Sequence, residues 1–231
     1  MDIIIKLNDQ TVGRDKMIRL LQYGVRACWY YAQSRESTCH SIDILKSLEY
    51  TFSSFRKLLR LGRFLDALYS AINLMKYPDL YVRVTSTLSK IANALFLLAD
   101  HIIWVGRAGI VRVNMDKWNS IANKYWLMSL LFNLTRDVYE ITNILNVKNF
   151  AACSKMTCYR YTYQEYYQTI AWWRDHKDII LDTIKNGCDV CIPLTALGYT
   201  RISPGMVGIL GLISSLVGLY TIVHPLAKLT P

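Results

Sequence analysis

The sequence predicts an all-α integral membrane protein with amphipathic helices and a Gly-rich C-terminal transmembrane helix. Proline is rare, with five in 231 residues, and apolar residues recur every three or four positions, which is the period of an α-helix. Residues 202–227 carry no formal charge, and such a stretch is long enough to cross a hydrocarbon core about 30 Å thick. Far upstream, one predicted helix combines an apolar stripe with a concentrated basic face, a pattern typical of segments that lie on a membrane.

Two helices are predicted before residue 80, at Val12–Gln33 and at Ile42–Lys76. The first follows polar capping candidates between residues 8 and 11, and the second ends before Pro78. The stretch 33–41 between them is polar and is predicted to break the chain.

The second helix is predicted to bind a membrane. Its apolar positions are spaced three and four residues apart, which at about 100° per residue places them on one side. Four basic side chains fall on the opposite side, where we expect them to hold anionic phospholipid head groups at about 1 kcal/mol each. The predicted membrane-binding residues are Phe55, Arg56, Lys57, Leu58, Arg60, Arg63, Leu65, Tyr69 and Ile72. The alternative is that the apolar stripe packs on neighbouring helices and the basic residues form a solvated face.

The third predicted helix runs from Leu80 to Val113 and contains an apolar stretch, residues 91–106, that is a candidate first span. Asp100 and His101 interrupt this apolar stretch, and a carboxylate in the middle of a bilayer costs at least ~2.5 kcal/mol. Two interpretations stay open: a buried or interfacial amphipathic helix, and a true membrane span.

Two further helices are predicted before the final span. One covers residues 116–145, a loop follows at 146–163, and a fifth helix covers residues 164–187. Pro193 and Gly198 are expected to break the chain after it.

The final helix, Gly205–Val223, is the predicted transmembrane helix. Small residues on one of its faces let another helix approach closely, so we predict a helix–helix interface with a second copy of the chain or with the segment 88–106. The predicted interface residues are Gly208, Gly211, Ser215 and Gly218. The chain therefore divides into a helical body, residues 1–200, and a C-terminal transmembrane helix with a short tail, residues 201–231.

Composition and motifs narrow the range of possible functions. The net charge of +10 favours anionic partners, and without a zinc-finger spacing, an RNP-type strand or a run of arginines, an anionic membrane is preferred over nucleic acid. The six cysteines and four histidines lack the spacing of metal ligands. No nucleophile elbow, Gly-rich phosphate loop or acid pair indicates an enzyme. We therefore expect no catalytic residue, no cofactor and no metal.

Several segments resemble the peroxisomal biogenesis factor 11 family, and together they cover essentially the whole chain. They are residues 7–16 (LNDQTVGRDK), 20–24, 52–62 (FSSFRKLLRLG), 98–109 (LADHIIWVGRAG), 126–131, 136–140, 188–193 and 203–216 (SPGMVGILGLISSL).

The resemblance implies an integral protein of the peroxisomal membrane, with its N-terminal part in the cytosol. Family members oligomerise, elongate the membrane and promote peroxisome fission and proliferation. The implied partners are a second copy of the chain, a dynamin-like GTPase with its tail-anchored adaptors, and an import receptor for peroxisomal membrane proteins. The family's remodelling element lies near residues 52–75, in agreement with the basic amphipathic helix. The resemblance also implies a possible first span at about residues 88–109.

Two other functions stay open at this point. The first is a channel for small metabolites, with Asp100 and His101 as polar lining residues inside an oligomer. The second is a passive scaffold that recruits the fission machinery.

Overall fold

The computed structural model describes residues 7–8, 10–34, 39–153 and 176–224, and for residues 146–153 it gives the backbone alone. All regular secondary structure in these ranges is α-helix, so the predicted all-α fold is confirmed. The seven helices are α1 (Thr11–Gln33), α2 (Cys39–Leu59), α3 (Arg63–Leu74), α4 (Leu80–Arg107), α5 (Met115–Cys153), α6 (Lys177–Ala196) and α7 (Pro204–Val223).

Six of these helices close into a ring. Around the ring, α1 contacts α2, α2 contacts α4, α4 contacts α5, α5 contacts α6, α6 contacts α7, and α7 returns to α1, while α3 lies against α4. Neighbouring helices of the ring run antiparallel, whereas α2 and α3 follow one another along α4 in the same direction. In the first pair, for example, Asp15 near the start of α1 contacts Arg56 near the end of α2, whereas Glu49 accepts hydrogen bonds from Arg26 and Trp29 further along α1.

Local signals set the ends of the two most apolar helices. The Asp79 carboxylate accepts hydrogen bonds from the backbone N–H groups of Tyr81 and Val82, at 2.8 and 3.3 Å, and so caps α4. Ser203 caps α7 through its hydroxyl. Pro204 follows in the first turn, where its missing N–H costs no helical hydrogen bond.

The helix predicted at 42–76 is two helices. The chain turns at Gly62, whose φ of 80° separates α2 from α3. This left-handed conformation strains a residue that carries a Cβ, whereas glycine adopts it freely. After the turn, α3 packs against α4.

Two other predicted boundaries are wrong. Helix α5 continues over residues 146–153, so the loop predicted at 146–163 is absent there, and its remainder lies outside the described residues. Helix α6 continues through Pro193 to Ala196, because a proline near the end of a helix removes a single hydrogen bond. The start predicted for this helix, Gln164, also lies outside the described residues.

Polarity is distributed in the reverse of a soluble protein. Charged side chains are buried within the ring, among them Asp100, Asp137 and Asp189 with exposed fractions of 2%, 0% and 3%. Large apolar side chains are exposed on every helix, and an extended apolar exterior indicates contact with lipid or a partner. Helices α4 and α7, of 28 and 20 residues, are long and apolar enough to cross a membrane. The fold is that of an all-α membrane protein.

Candidate functional site

The ring surrounds a half-open polar cavity of about 810 Å³, and its wall takes residues from each of the seven described helices. The cations in the described part of this wall are Lys16, Arg19, Arg56, Lys57, Arg60, Arg63, Lys90, Arg136 and Lys185, and the carboxylates are Asp15, Asp100, Asp178, Asp182 and Asp189. Amide and hydroxyl side chains of α4 and α5 line much of the remainder. The cavity is therefore charged, with an excess of positive groups.

The Asp15 carboxylate of α1 gathers three arginines. It accepts hydrogen bonds from Arg56 Nε at 3.1 Å and from Arg60 Nε at 3.2 Å. Arg63 Nη1 lies 3.7 Å from the second oxygen of the same carboxylate. Arg56 Nη1 also donates to Gln22 Oε1 at 2.7 Å, which ties the end of α2 to the middle of α1.

The Asp100 carboxylate of α4 pairs with the same basic segment. It accepts a hydrogen bond from Arg60 Nη1 at 2.9 Å and forms an ion pair with Lys57. Asp100 therefore lines a cavity within a single chain. The channel interpretation of the sequence instead makes it a lining residue of a pore inside an oligomer. His101 is not in the cavity wall: a ring nitrogen lies 2.9 Å from the Arg60 carbonyl oxygen, and the ring meets that of Phe64 edge-on.

Burial and neighbouring charges shift the pKa values of groups on this wall. Burial raises the pKa of Asp15, but Arg60 and Arg56 outweigh burial and hold the pKa well below its usual range. Burial, with a smaller contribution from Arg19, lowers the pKa of Lys16 to about 7. Burial and the nearby Arg60 lower the pKa of Arg56 to about 10. At Lys16 and Arg56, burial and neighbouring cations therefore outweigh the nearby carboxylates.

The predicted outward basic face is wrong. The side chains of Arg56, Lys57 and Arg60 are 10%, 13% and 13% exposed, and that of Arg63 is 29% exposed. They turn inward because α1 and α4 each place a carboxylate opposite them, and a buried charge needs such a partner. Contact between these four side chains and the head groups of the surrounding bilayer, as the sequence predicts it, has no geometric basis in this arrangement.

The predicted apolar stripe faces outward. Its members are Phe55 (46% exposed), Leu58 (39%), Leu65 (60%), Tyr69 (69%) and Ile72 (57%). The alternative reading, in which the stripe packs on neighbouring helices, is therefore wrong. The basic side of this segment is buried and its apolar side is exposed, which is the reverse of the arrangement in a soluble protein.

Two more ionic contacts connect helices across the wall. Arg19 of α1 pairs with Asp189 of α6, and its Nη1 donates to Oδ2 at 3.2 Å. Arg136 Nη2 of α5 donates to the neighbouring Asp137 at 2.8 Å and to Asp182 of α6 at 2.6 Å. These contacts join α1, α5 and α6 through the interior.

The small-residue face of α7, predicted at Gly208, Gly211, Ser215 and Gly218, is buried against α1. A Cβ added to Gly208 would lie 2.8 Å from the backbone nitrogen of Ala27. At Gly211 a Cβ would overlap the ring of Tyr23. The face supports close packing, but its partner is α1 of the same chain, where the ring closes, and not a second copy or the segment 88–106.

Sequence reasoning missed most of the cavity wall, although a signal was present. Polar residues follow the three-and-four spacing of one helix face on α4 and again on α6. On α4 they are Ser86, Ser89, Asn93 and Asp100, and on α6 they are Asp178, Asp182, Lys185 and Asp189. A polar stripe on an otherwise apolar helix predicts a polar interior when the exterior is lipid.

Comparisons with known proteins identify the family of the chain. Residues 1–223 match the family described as Peroxisomal biogenesis factor 11 (PEX11). The chain is 30% identical over 260 residues to Peroxisomal membrane protein 11B of Homo sapiens, with 100% of both chains covered. It is 31% identical over 244 residues to Peroxisomal membrane protein 11A of Bos taurus, with 99% of both covered, and 26% identical to the Peroxisomal membrane protein 11 homolog of Dictyostelium discoideum, with 95% and 93% covered. No solved structure matches.

Proposed function

The chain belongs to the peroxisomal biogenesis factor 11 family, and on that premise we propose that it elongates the peroxisomal membrane by inserting an outward apolar helix face into lipid. Family membership supports a role in peroxisome biogenesis, which is a non-enzymatic role. The proposal adds residence in the peroxisomal membrane, with the N-terminal part in the cytosol, and it assigns the insertion to α3.

The exposed face of α3 carries the proposal. Leu65, Tyr69 and Ile72 are 60%, 69% and 57% exposed on a helix of 12 residues. At 1.5 Å per residue this helix is about 18 Å long, too short to cross a hydrocarbon core of about 30 Å. A short helix with one exposed apolar face is expected to lie along the interface, with that face about 5–10 Å into the boundary between head groups and acyl chains.

The exposed apolar face of α3 is the proposed wedge, and the opposite face attaches α3 to the helical body. Ala67, 8% exposed, packs with Ala94 and Leu97 of α4, and Phe64 and Phe96 extend the contact. Helix α4 is a candidate span, so α3 is fixed to a segment long enough to cross the bilayer. Insertion into one leaflet expands that leaflet, and the rigid attachment passes the resulting strain to the surrounding membrane.

Removing the apolar wedge is the direct test. We expect the triple variant Leu65→Ser, Tyr69→Ser, Ile72→Ser to tubulate vesicles several-fold less than the natural sequence, because the apolar area that enters the leaflet is lost. Full-length protein would be reconstituted into phosphatidylcholine vesicles with a minor share of anionic phospholipid. Tubules would be counted by electron microscopy.

A matched control changes the same number of exposed apolar residues on α5. Met128, Leu131 and Val138 are 45%, 50% and 57% exposed, and serine at these positions should leave tubulation near its natural level. Equal tubulation by the α3 variant and the natural sequence would reject the wedge. Equal loss in the α3 and α5 variants would reject its assignment to α3.

The remaining partners are also proposals. They are a second copy of the chain, a dynamin-like GTPase with tail-anchored adaptors, an import receptor for peroxisomal membrane proteins, and an anionic phospholipid membrane. Self-association would use a surface other than the small-residue face of α7, because α1 covers that face.

A second candidate function is the passage of small solutes, and the charged cavity favours it. The cavity lies inside a ring whose exterior is apolar, which is the arrangement of a water-filled path through lipid.

Asn123 on α5 lies in the wall of this cavity, so we expect Asn123→Trp to narrow the path and reduce the flux of a small solute from proteoliposomes several-fold. Asn143→Trp, at an exposed position of the same helix, is the control. Flux that is equally unaffected by both changes would reject conduction through the cavity.

A further inference from the structure

We propose that the cavity wall formed by α1, α2 and the turn after α2 binds a phosphate group. The group belongs either to a soluble phosphate ester or to the head group of a phospholipid that enters the ring. This inference is independent of membrane bending by α3 and requires no transport.

The wall is short of negative charge. Around α1 and the end of α2 it presents six cations, and the ion pairs of this group use three carboxylates, a formal excess of three positive charges; the cations are Lys16, Arg19, Arg56, Lys57, Arg60 and Arg63, and the carboxylates are Asp15, Asp100 and Asp189. Four of these cations share two carboxylates, Asp15 of α1 and Asp100 of α4. Cations confined together in a region of low dielectric repel strongly, and a bound anion relieves that repulsion.

The arginines of this wall keep unused donors. A guanidinium carries five N–H groups in a planar fork. Arg56 donates through Nε and Nη1, and so does Arg60, which leaves Nη2 of each without an acceptor in the described protein. Both residues line the cavity.

A second, independent observation lies one turn along α1. Arg19 is 5% exposed, lines the cavity, and has a buried Nε with no hydrogen-bond partner. Lys16 also lines the cavity, and its ammonium makes no hydrogen bond or ion pair with the described residues. A buried polar donor without a partner is costly, and an acceptor bound beside Arg19 would remove that cost.

A tetrahedral oxyanion such as phosphate fits these donors better than a planar carboxylate does. Its tetrahedral oxygens accept from guanidinium groups that converge from different directions, and an arginine fork pairs with two of them at once. The cavity volume of about 810 Å³ lies within the range of ordinary ligand sites, so the phosphate can carry an organic group.

Binding would be measured on the full-length protein in a non-ionic detergent. We expect inorganic pyrophosphate to raise the unfolding temperature above that in sodium chloride of equal ionic strength. Short-chain phosphatidic acid in parallel samples separates the two sources of the phosphate. Stabilisation by pyrophosphate alone assigns a soluble ester, and stabilisation by the lipid alone or by both assigns a site that accepts a head group. No stabilisation by either probe overturns the proposal.

Variants locate the site. Lys16→Gln leaves no carboxylate unpaired, so it should fold and weaken pyrophosphate binding about tenfold or more, because one charge-assisted contact is removed. Arg56→Gln should weaken binding similarly, while Arg112→Gln, at an exposed position outside the wall, should not. Unchanged affinity in Lys16→Gln, or equal weakening in Arg112→Gln, overturns the assignment.

The pH dependence gives a further check. Lys16 faces Arg19 and Asp15 on its own helix and Lys185 and Asp189 on α6, while α7 adds no charge among its described residues. Because its pKa is about 7 in the folded protein, the Lys16 side chain carries a positive charge below that pH and loses this charge above it. Sulfate, whose charge is constant in this range, should therefore bind several-fold more weakly at pH about 8.5 than at pH about 6. The same ratio in Lys16→Gln would contradict the role of Lys16.

Discussion

Replacing Asp100 by alanine is expected to destabilise the folded protein by about 3–5 kcal/mol, because two buried cations lose their carboxylate. Asp100 is 2% exposed, and it pairs with Lys57 and with Arg60 Nη1. After the substitution Lys57 has no counter-charge among the described residues, and Arg60 keeps only Asp15, which two other arginines share. Thermal unfolding of the full-length variant in detergent, followed by circular dichroism, measures the effect.

The matched control is Asp43→Ala, which removes an exposed carboxylate from α2 and should change the free energy of unfolding by less than about 0.5 kcal/mol. Substituting both partners, with Lys57→Met and Asp100→Leu, should restore part of the lost stability, because fewer charges are then buried without a partner. An Asp100→Ala variant as stable as Asp43→Ala would mean that the cluster is hydrated and exposed, contrary to the closed ring.

Much of the secondary structure could be predicted because its signals are local. Helix α7 was expected at Gly205–Val223 and is found at Pro204–Val223, where a serine cap, a proline and an uncharged run mark its limits. Helix α1 likewise begins one residue before its predicted start at Val12. The turn at Gly62 was missed because a single glycine inside an amphipathic pattern is compatible with an unbroken helix.

The orientation of α2 and α3 could not be predicted from periodicity. A helix with an apolar face toward a core and a basic face toward water has the same 3.6-residue pattern as one turned the other way. The choice depends on Asp15 and Asp100, which lie 41 and 43 residues from Arg56 and Lys57 in the sequence. Nothing in a single sequence links such distant residues. The outward apolar face is favourable when the surrounding solvent is lipid.

The glycine face of α7 illustrates the same limit in a different way. Small residues at one face predict that another helix approaches closely, and α1 does so. They do not identify that helix, because any flat partner fits a face without side chains. The identity of the partner follows from the closure of the ring, which is a property of the whole chain.

That assignment leads to the second large expected effect: Gly208→Leu should cost about 1–3 kcal/mol of stability or more. The new Cβ would lie 2.8 Å from the Ala27 backbone nitrogen and 3.1 Å from its Cα, and backbone atoms cannot rotate away. Helices α1 and α7 must therefore separate, which loosens the ring. Gly187→Leu makes the same substitution on α6 where nothing lies within 4 Å of the added Cβ, and it should be nearly neutral.

Comparing the unfolding temperature with the molar mass of the protein–detergent complex separates the two possible partners of this face. If α1 covers it, Gly208→Leu lowers the unfolding temperature and leaves the number of chains in the particle unchanged. If a second copy covered it, the same substitution would reduce the number of chains while a single chain kept its stability. Because a Cβ at Gly208 meets the backbone of Ala27 in the same chain, the first outcome is expected. The second outcome would require α7 to separate from α1. The ring that surrounds the charged cavity would then be open.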